Sequence, residues 1–125
     1  MELKLIIFDV DGTLYDLKSH CIPQSCTEAI RQLKRNKIRF AIASGRAHYG
    51  MGKALNDLRA DYIIADSGGV IVDSEGNMLY HEDMPFAECC QLLEFARQEE
   101  AGLVFKFPQH MYIYQHPEKV DWLQG

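Results

Sequence analysis

The chain is expected to fold as an α/β protein around a parallel sheet, and three stretches carry that expectation. Leu5 to Phe8 is a continuous apolar run that stops in Asp9-Val10-Asp11-Gly12-Thr13. Ile38 to Ala43 is a second such run, ending in Ser44-Gly45-Arg46, and Tyr62 to Ala65 is a third, ending in Asp66-Ser67-Gly68-Gly69. Short apolar runs closed by glycine and polar residues read as buried strands. Helical patterns separate them, and strand, helix, strand makes a right-handed crossover with parallel strands. All three polar endings then gather on the carboxyl edge of one sheet, where open α/β sheets bind ligands.

In chain order, the first strand is expected to be buried on both faces, and Leu14 to Ile22, with no clean period, to form a loop or small flap over its end. After Pro23 a helix is expected, with Ser25 as N-cap, Glu28 three residues on, and an apolar stripe of Ala29, Ile30 and Leu33. Lys34-Arg35-Asn36-Lys37 closes it with charges that suit a helix carboxyl end. The second strand follows, then a helix from about Ala47 to Leu58, then the third strand. Val70 to Val72 and Met78 to Tyr80, joined by Asp73-Ser74-Glu75-Gly76-Asn77, read as a β-hairpin. From Pro85 the pattern changes to a helix over Phe86 to Glu100, stopped by Gly102, and two antiparallel strands, Leu103 to Phe107 and Met111 to Tyr114. A domain boundary is therefore expected near His81 to Pro85. Pro117 to Leu123 reads as the start of another helix.

With 125 residues, 47% hydrophobic and 25% charged, the chain has an ordinary globular composition. A formal net charge of -5 argues against nucleic acid and anionic membranes as partners. The opening residues are too short and too charged for a signal peptide, and no stretch has the length of a membrane span, so a cytoplasmic location is expected. Cys21, Cys26, Cys89 and Cys90 form no Cys-x-x-Cys pair and no zinc spacing with the histidines, and are read as reduced structural residues.

Chemistry is expected at Asp9 and Asp11. Two carboxylates one residue apart on a short turn hold their charge most cheaply when a cation shares it. Mg²⁺ takes one or two protein carboxylates together with waters and substrate phosphate oxygens. An Asp can also attack phosphorus to give an aspartyl-phosphate. A plain Asp-Gly turn is the bland alternative. An EF-hand calcium loop is excluded because Gly12 arrives too early, and a Walker loop because Met51 stands where its Lys belongs. Ser44 is expected on the same edge, its hydroxyl binding a phosphate oxygen with help from the Gly45 and Arg46 amides at the start of the next helix.

Phe-Asp-Val-Asp-Gly-Thr-Leu at 8–14, Ala-Ser-Gly-Arg at 43–46 and Tyr-Ile-Ile-Ala-Asp-Ser-Gly-Gly-Val-Ile at 62–71 together resemble the haloacid dehalogenase-like superfamily. The closer resemblance is to its Cof-type, subfamily IIB phosphatases. It implies a Rossmann-like parallel sheet, with residues 1–81 as the first half of the core and 82–125 as the helix-strand-strand opening of an α+β cap. It further implies that Asp9 is the nucleophile. Asp11 would be the acid and base, its main-chain carbonyl helping Asp9 hold Mg²⁺. Gly12, Ser44, Gly45 and Arg46 would face phosphate or substrate, a small phosphorylated metabolite.

Some parts of the family pattern are missing. The later Lys that neutralises nucleophile and phosphate, and the later acidic motif that completes the metal site, do not occur. Ser67 replaces the usual Asn of an Asn-Gly-Ala turn. The isolated chain is therefore expected to turn over little or not at all. Three readings follow: a Mg²⁺-dependent phosphatase acting through an aspartyl-phosphate, incomplete as this chain or completed by another; a silent truncated protein that self-associates and at most binds phosphate or Mg²⁺; or a phosphomutase of the same superfamily.

Overall fold

The computed structural model describes residues 3–120 and divides them into two compact units between His81 and Glu82. In the first unit the chain runs β1 (Leu5–Asp9), α1 (Gln24–Arg35), β2 (Arg39–Ala43), α2 (Gly52–Asn56), β3 (Tyr62–Ala65), β4 (Val70–Asp73) and β5 (Met78–His81). These strands form one five-stranded sheet in the order β1-β2-β3-β4-β5. β1, β2 and β3 are parallel, with Leu5 opposite Arg39 and Asp9 opposite Ala43, whereas β4 and β5 join antiparallel. The sheet is thus mixed, its parallel half supplied by the two crossovers and its antiparallel half by the expected hairpin.

Two crossovers of the same hand and direction carry both helices to one face. On that face Val10, Ile30, Phe40, Ile42, Leu55, Ala65, Val70 and Val72 form the core, with Phe8, Leu33 and Ile63 partly buried against it. Phe40 is the centre of this layer, fully buried, edge-on to Phe8 at 6.3 Å between ring centroids. The opposite face is open at β1, where Leu5 is 39% and Ile7 53% exposed. The expectation that this strand is buried on both faces is therefore corrected. β1 is the sheet's edge among the described residues, and no layer covers the side bearing Leu5 and Ile7.

Two helices also differ from their sequence patterns. α1 starts at Gln24, with Pro23 as N-cap and no side-chain cap. The Pro23 carbonyl already accepts from Cys26 N at 3.0 Å and Thr27 N at 3.2 Å, so Ser25 lies inside the first turn. Glu28, free of any capping role, pairs with Arg31 at 3.3 Å. The continuous helix expected over 47–58 is broken into a 3-10 turn, His48–Gly50, and the short α2. Gly52 interrupts it with φ +76°, a left-handed backbone that costs glycine little.

The second unit comprises α3 (Phe86–Gln98), β6 (Leu103–Lys106) and β7 (Met111–Gln115), the two strands antiparallel. Gln115 Nε2 ties β7 to the end of α3 by donating to the carbonyls of Ala96 at 2.5 Å and Ala101 at 2.8 Å. Pro117–Lys119 forms a 3-10 turn rather than an opening α-helix turn, and the rest of that expected helix, 121–123, lies outside the described residues. Gly102 packs under this turn: a Cβ there would lie 2.9 Å from Val120 Cγ1 and 3.2 Å from the His116 carbonyl oxygen. Gly102→Ala is expected to destabilise the second unit by about 1–3 kcal/mol, the usual cost of overpacking, measurable by chemical denaturation. No helix among the described residues is long and apolar enough to cross a membrane.

Candidate active site at the carboxyl edge of the sheet

Asp9 is the last residue of β1, and the turn after it folds back on itself. Gly12 N donates to the Tyr15 carbonyl at 2.9 Å, Thr13 N to Val10 O at 3.1 Å and Tyr15 N to Val10 O at 2.8 Å. Asp9 thereby sits at the mouth of the edge, its Oδ2 accepting from Thr13 Oγ1 at 3.3 Å. Gly12 is in the turn as expected, but its amide is committed to Tyr15 and supports the loop.

Parallel pairing of β1 with β2 places Ser44, one residue beyond Ala43, beside Asp9. Ser44 is buried to 8% exposure, its amide bonded to Ile64 O at 2.9 Å. Ser44 Oγ accepts from the Arg46 amide at 3.1 Å, which leaves the hydroxyl hydrogen able to donate. The expected helix start at Gly45 and Arg46 is corrected here. No helix begins at these residues, and the Arg46 amide is taken by Ser44.

The loop after β3 closes the cavity. Ser67 N donates to Ser44 O at 3.1 Å and Asp66 N to Arg46 O at 3.0 Å, so the two loops are joined by backbone bonds. Asp9, Ser44, Gly45, Ser67 and Gly68 line an open concavity of about 310 Å³. Sequence reasoning treats Ser67 as a departure from a family turn, yet the structure puts it in the cavity wall. A hydroxyl at the carboxyl end of a parallel strand beside those of Asp9 and Ser44 was the available signal.

Arg46 faces Asp11. Its Nε donates to Asp11 Oδ2 at 3.1 Å and its Nη2 to Oδ1 at 2.6 Å, a two-point fork of the kind guanidinium and carboxylate make best. This bond pushes the Arg46 guanidinium above its ordinary value, against the opposing effect of burial. The guanidinium also lies over the Tyr15 ring, 5.4 Å from its centroid. Tyr15 OH donates to His20 O at 2.9 Å, which links Arg46 to the segment expected as a flap. In that segment Asp16 and Cys21 form an antiparallel bridge.

This segment contains its own carboxylate knot. Ser19 Oγ donates to Asp16 Oδ2 at 2.5 Å and Lys18 N to Oδ1 at 3.1 Å, and these bonds hold the Asp16 carboxyl below its ordinary value. The ordered loop is then complete above the ordinary carboxylate value of about 3.9 and loosens as pH falls through the lower folded value. The Ser19 amide resonance is expected to shift in that acid window, and an NMR titration downward from pH 5 checks it.

Asp9 and Asp11 provide carboxylates suited to a hard cation, and Mg²⁺ needs only one or two of them. The Asp9 oxygens make one long hydrogen bond and fit that use, whereas the Asp11 oxygens are held by Arg46. No group of three or more His, Cys, Asp or Glu gathers as metal ligands among the described residues. All four cysteines are free thiols.

Comparison with known proteins identifies the family. Phosphatase YwpJ of Bacillus subtilis is 32% identical over 98 residues, covering 78% of this chain and 34% of that protein. YkrA of the same organism is 30% identical over 123 residues, 97% of this chain and 47% of its own. The structure of BT4131, a sugar phosphatase of haloacid dehalogenase subclass IIB, superposes with a TM-score of 0.84 at 25% identity, over 97% of this chain and 49% of that one. The chain therefore spans from about a third to about half the length of these relatives. The haloacid dehalogenase-like hydrolase family matches residues 6–123. With its Rossmann-like sheet and this match across nearly its whole length, the chain belongs to the haloacid dehalogenase-like hydrolases, in their Cof-type branch.

Proposed function

We propose that the chain carries the nucleophilic half of a Mg²⁺-dependent phosphatase acting on small phosphorylated metabolites. The observation that carries this reading is the cavity bringing the Asp9 carboxylate together with the Ser44 and Ser67 hydroxyls at one sheet edge. Phosphoryl transfer relies on positioning and charge neutralisation, and a nucleophile beside hydroxyl donors is the minimum for both. In this reading an Asp9 oxygen attacks phosphorus, the bond to the substrate oxygen breaks, and Asp11 delivers the proton that the leaving alcohol needs. Asp11 then takes a proton from the water that attacks the aspartyl-phosphate, releasing inorganic phosphate and restoring Asp9. Ser44 donates its hydroxyl hydrogen to a phosphoryl oxygen. Asp9 and the Asp11 main-chain carbonyl would hold Mg²⁺, which supplies positive charge against the phosphate oxygens.

Arg46 has a particular place in that sequence. Its fork holds Asp11 with both carboxylate oxygens engaged, so it must leave Asp11 for a substrate oxygen before Asp11 can serve as acid. Residues 1–81 are read as the first half of the catalytic core and 82–125 as the opening of a cap, in a cytoplasmic protein.

One observation favours the silent reading for the chain by itself. Among the described residues Arg46 is the cation paired with a site carboxylate, and it neutralises Asp11, not Asp9. The open β1 edge with Leu5 and Ile7 exposed also suits association with a second copy or a complementing chain. The test is covalent trapping with acetyl phosphate and Mg²⁺, followed by a panel of sugar and cofactor phosphates. A phosphoryl adduct on Asp9 is expected. An adduct elsewhere, or none together with no phosphate release from any compound, removes the phosphatase reading. Phosphoryl return to a sugar phosphate in place of release would identify a mutase.

A further inference from the structure

A second concavity lies at the opposite, amino-terminal edge of the same sheet. Arg39 opens β2, Asp61 precedes β3 and Asp73 closes the antiparallel β4, so this edge is a full strand length from Asp9. The concavity has a volume of about 780 Å³, within the usual range of small-molecule sites. Its wall carries Lys34, Lys37, Arg39 and Arg59, and its apolar part is made by Ile38, Leu55 and Ile63.

Four cations around one hollow, in a chain of net charge -5, call for a counter-charge. Asp61 and Asp73 in the wall supply two of the four opposing charges, and both are held by neutral donors rather than by the cations. Asp61 Oδ2 accepts from the Phe40 amide at 2.9 Å. The Asp73 carboxylate accepts from the amides of Glu75 and Asn77 and from Asn77 Nδ2, each at 2.9 Å. Lys34 donates to Leu58 O at 2.8 Å and Arg39 to Tyr62 OH at 2.9 Å, both neutral acceptors. Among the described residues no ion pair joins any of the four cations to a carboxylate. The carboxyl end of α1 offsets at most about half a unit of charge.

Lys37 and Arg59 stand where the two crossover helices of the first unit terminate. Both have left-handed backbone, φ 57° and 52°. Lys37 closes α1: its amide bonds to Lys34 O and the Ile38 amide to Leu33 O, each at 3.0 Å, a termination in which glycine is the low-cost residue. Arg59 stands similarly just after α2, its amide bonded to Asn56 O at 3.0 Å. Two successive crossovers thus spend a left-handed position on a long cation at the rim of one hollow.

We propose that this concavity binds a small organic polyphosphate, with its phosphates on Lys37 and Arg59 and its apolar part against Ile38 and Ile63. Lys34 and Arg39, held by their neutral partners, flank the phosphates. The site is separate from the Asp9 cavity and takes its ligand without a metal.

ATP in EDTA serves as the probe, with tripolyphosphate and adenosine as the other arms, at low salt. Calorimetry on the whole chain is expected to show ATP binding, tripolyphosphate binding more weakly, and adenosine not at all. Amide NMR shifts are expected at Lys37, Ile38, Arg59 and Asp61. The informative variant is Lys37→Gly with Arg59→Gly, because glycine adopts these backbone angles without strain and the fold is kept. It should melt at the same or a higher temperature and bind ATP at least about tenfold more weakly, as expected for the loss of two phosphate contacts. No ATP binding at about 1 mM, equal affinity in the variant, or shifts confined to Ser44–Arg46 would each overturn the proposal. Equal affinity for tripolyphosphate and ATP would overturn the apolar contact and with it the organic ligand.

Discussion

Asp9→Asn is expected to abolish phosphoryl-adduct formation and, where the site has its full set of charge-neutralising groups, to lower phosphate release at least about 10³-fold. The amide keeps the shape and can still accept from Thr13, whose hydroxyl lies 3.3 Å from Asp9 Oδ2. What it loses is the anionic oxygen that forms the bond to phosphorus. The variant should therefore stay folded, with a melting temperature close to that of the parent, since the hydrogen bond from Thr13 is kept and Asp9 is in no ion pair among the described residues. Adduct mass and thermal denaturation, measured on the same samples, separate the two effects. An adduct retained by Asp9→Asn would take the nucleophile role away from Asp9.

The largest expected loss of stability belongs to Phe40→Ala. Phe40 is fully buried in β2, faces Phe8 edge-on, and has the Lys34 ammonium 5.5 Å above its ring. Its strand is the pivot of the parallel half, paired on both sides. Removing a buried Phe side chain costs about 3–5 kcal/mol in lost transfer energy and cavity formation. Against a total of about 5–15 kcal/mol that is enough to leave much of the chain unfolded. Urea denaturation followed by circular dichroism checks it, and a loss below about 1 kcal/mol would mean that the layer around Phe40 collapses to fill the space.

Arg46 illustrates what a sequence reading of the site could and could not reach. Its proximity to the first motif follows from crossover topology, which brings the end of every parallel strand to one edge. Its partner does not, because a fork to Asp11 spans 35 positions and depends on how the turn after β1 folds back. The same holds for Ser67, whose place in the cavity wall is set by the backbone bonds joining its loop to Ser44 and Arg46. Ser25 shows a local limit: its spelling suits an N-cap, but the Pro23 carbonyl accepts the first helical bonds and takes the position.

The sequence by itself determined the order and kind of most elements, and the edge where Asp9 and Ser44 meet. These depend on local patterns, apolar runs closed by glycine and polar residues, and on the handedness of the crossovers. Only the tertiary structure decided which faces are covered. The apolar run of β1 is the same text whether a second layer covers it or not, and here Leu5 and Ile7 remain exposed at the sheet edge. Tertiary structure also decided that Arg46 holds Asp11, and that four cations in no ion pair among the described residues surround one hollow at the far edge. Such groupings come from pairing register and loop closure between residues distant in sequence, which no local pattern encodes.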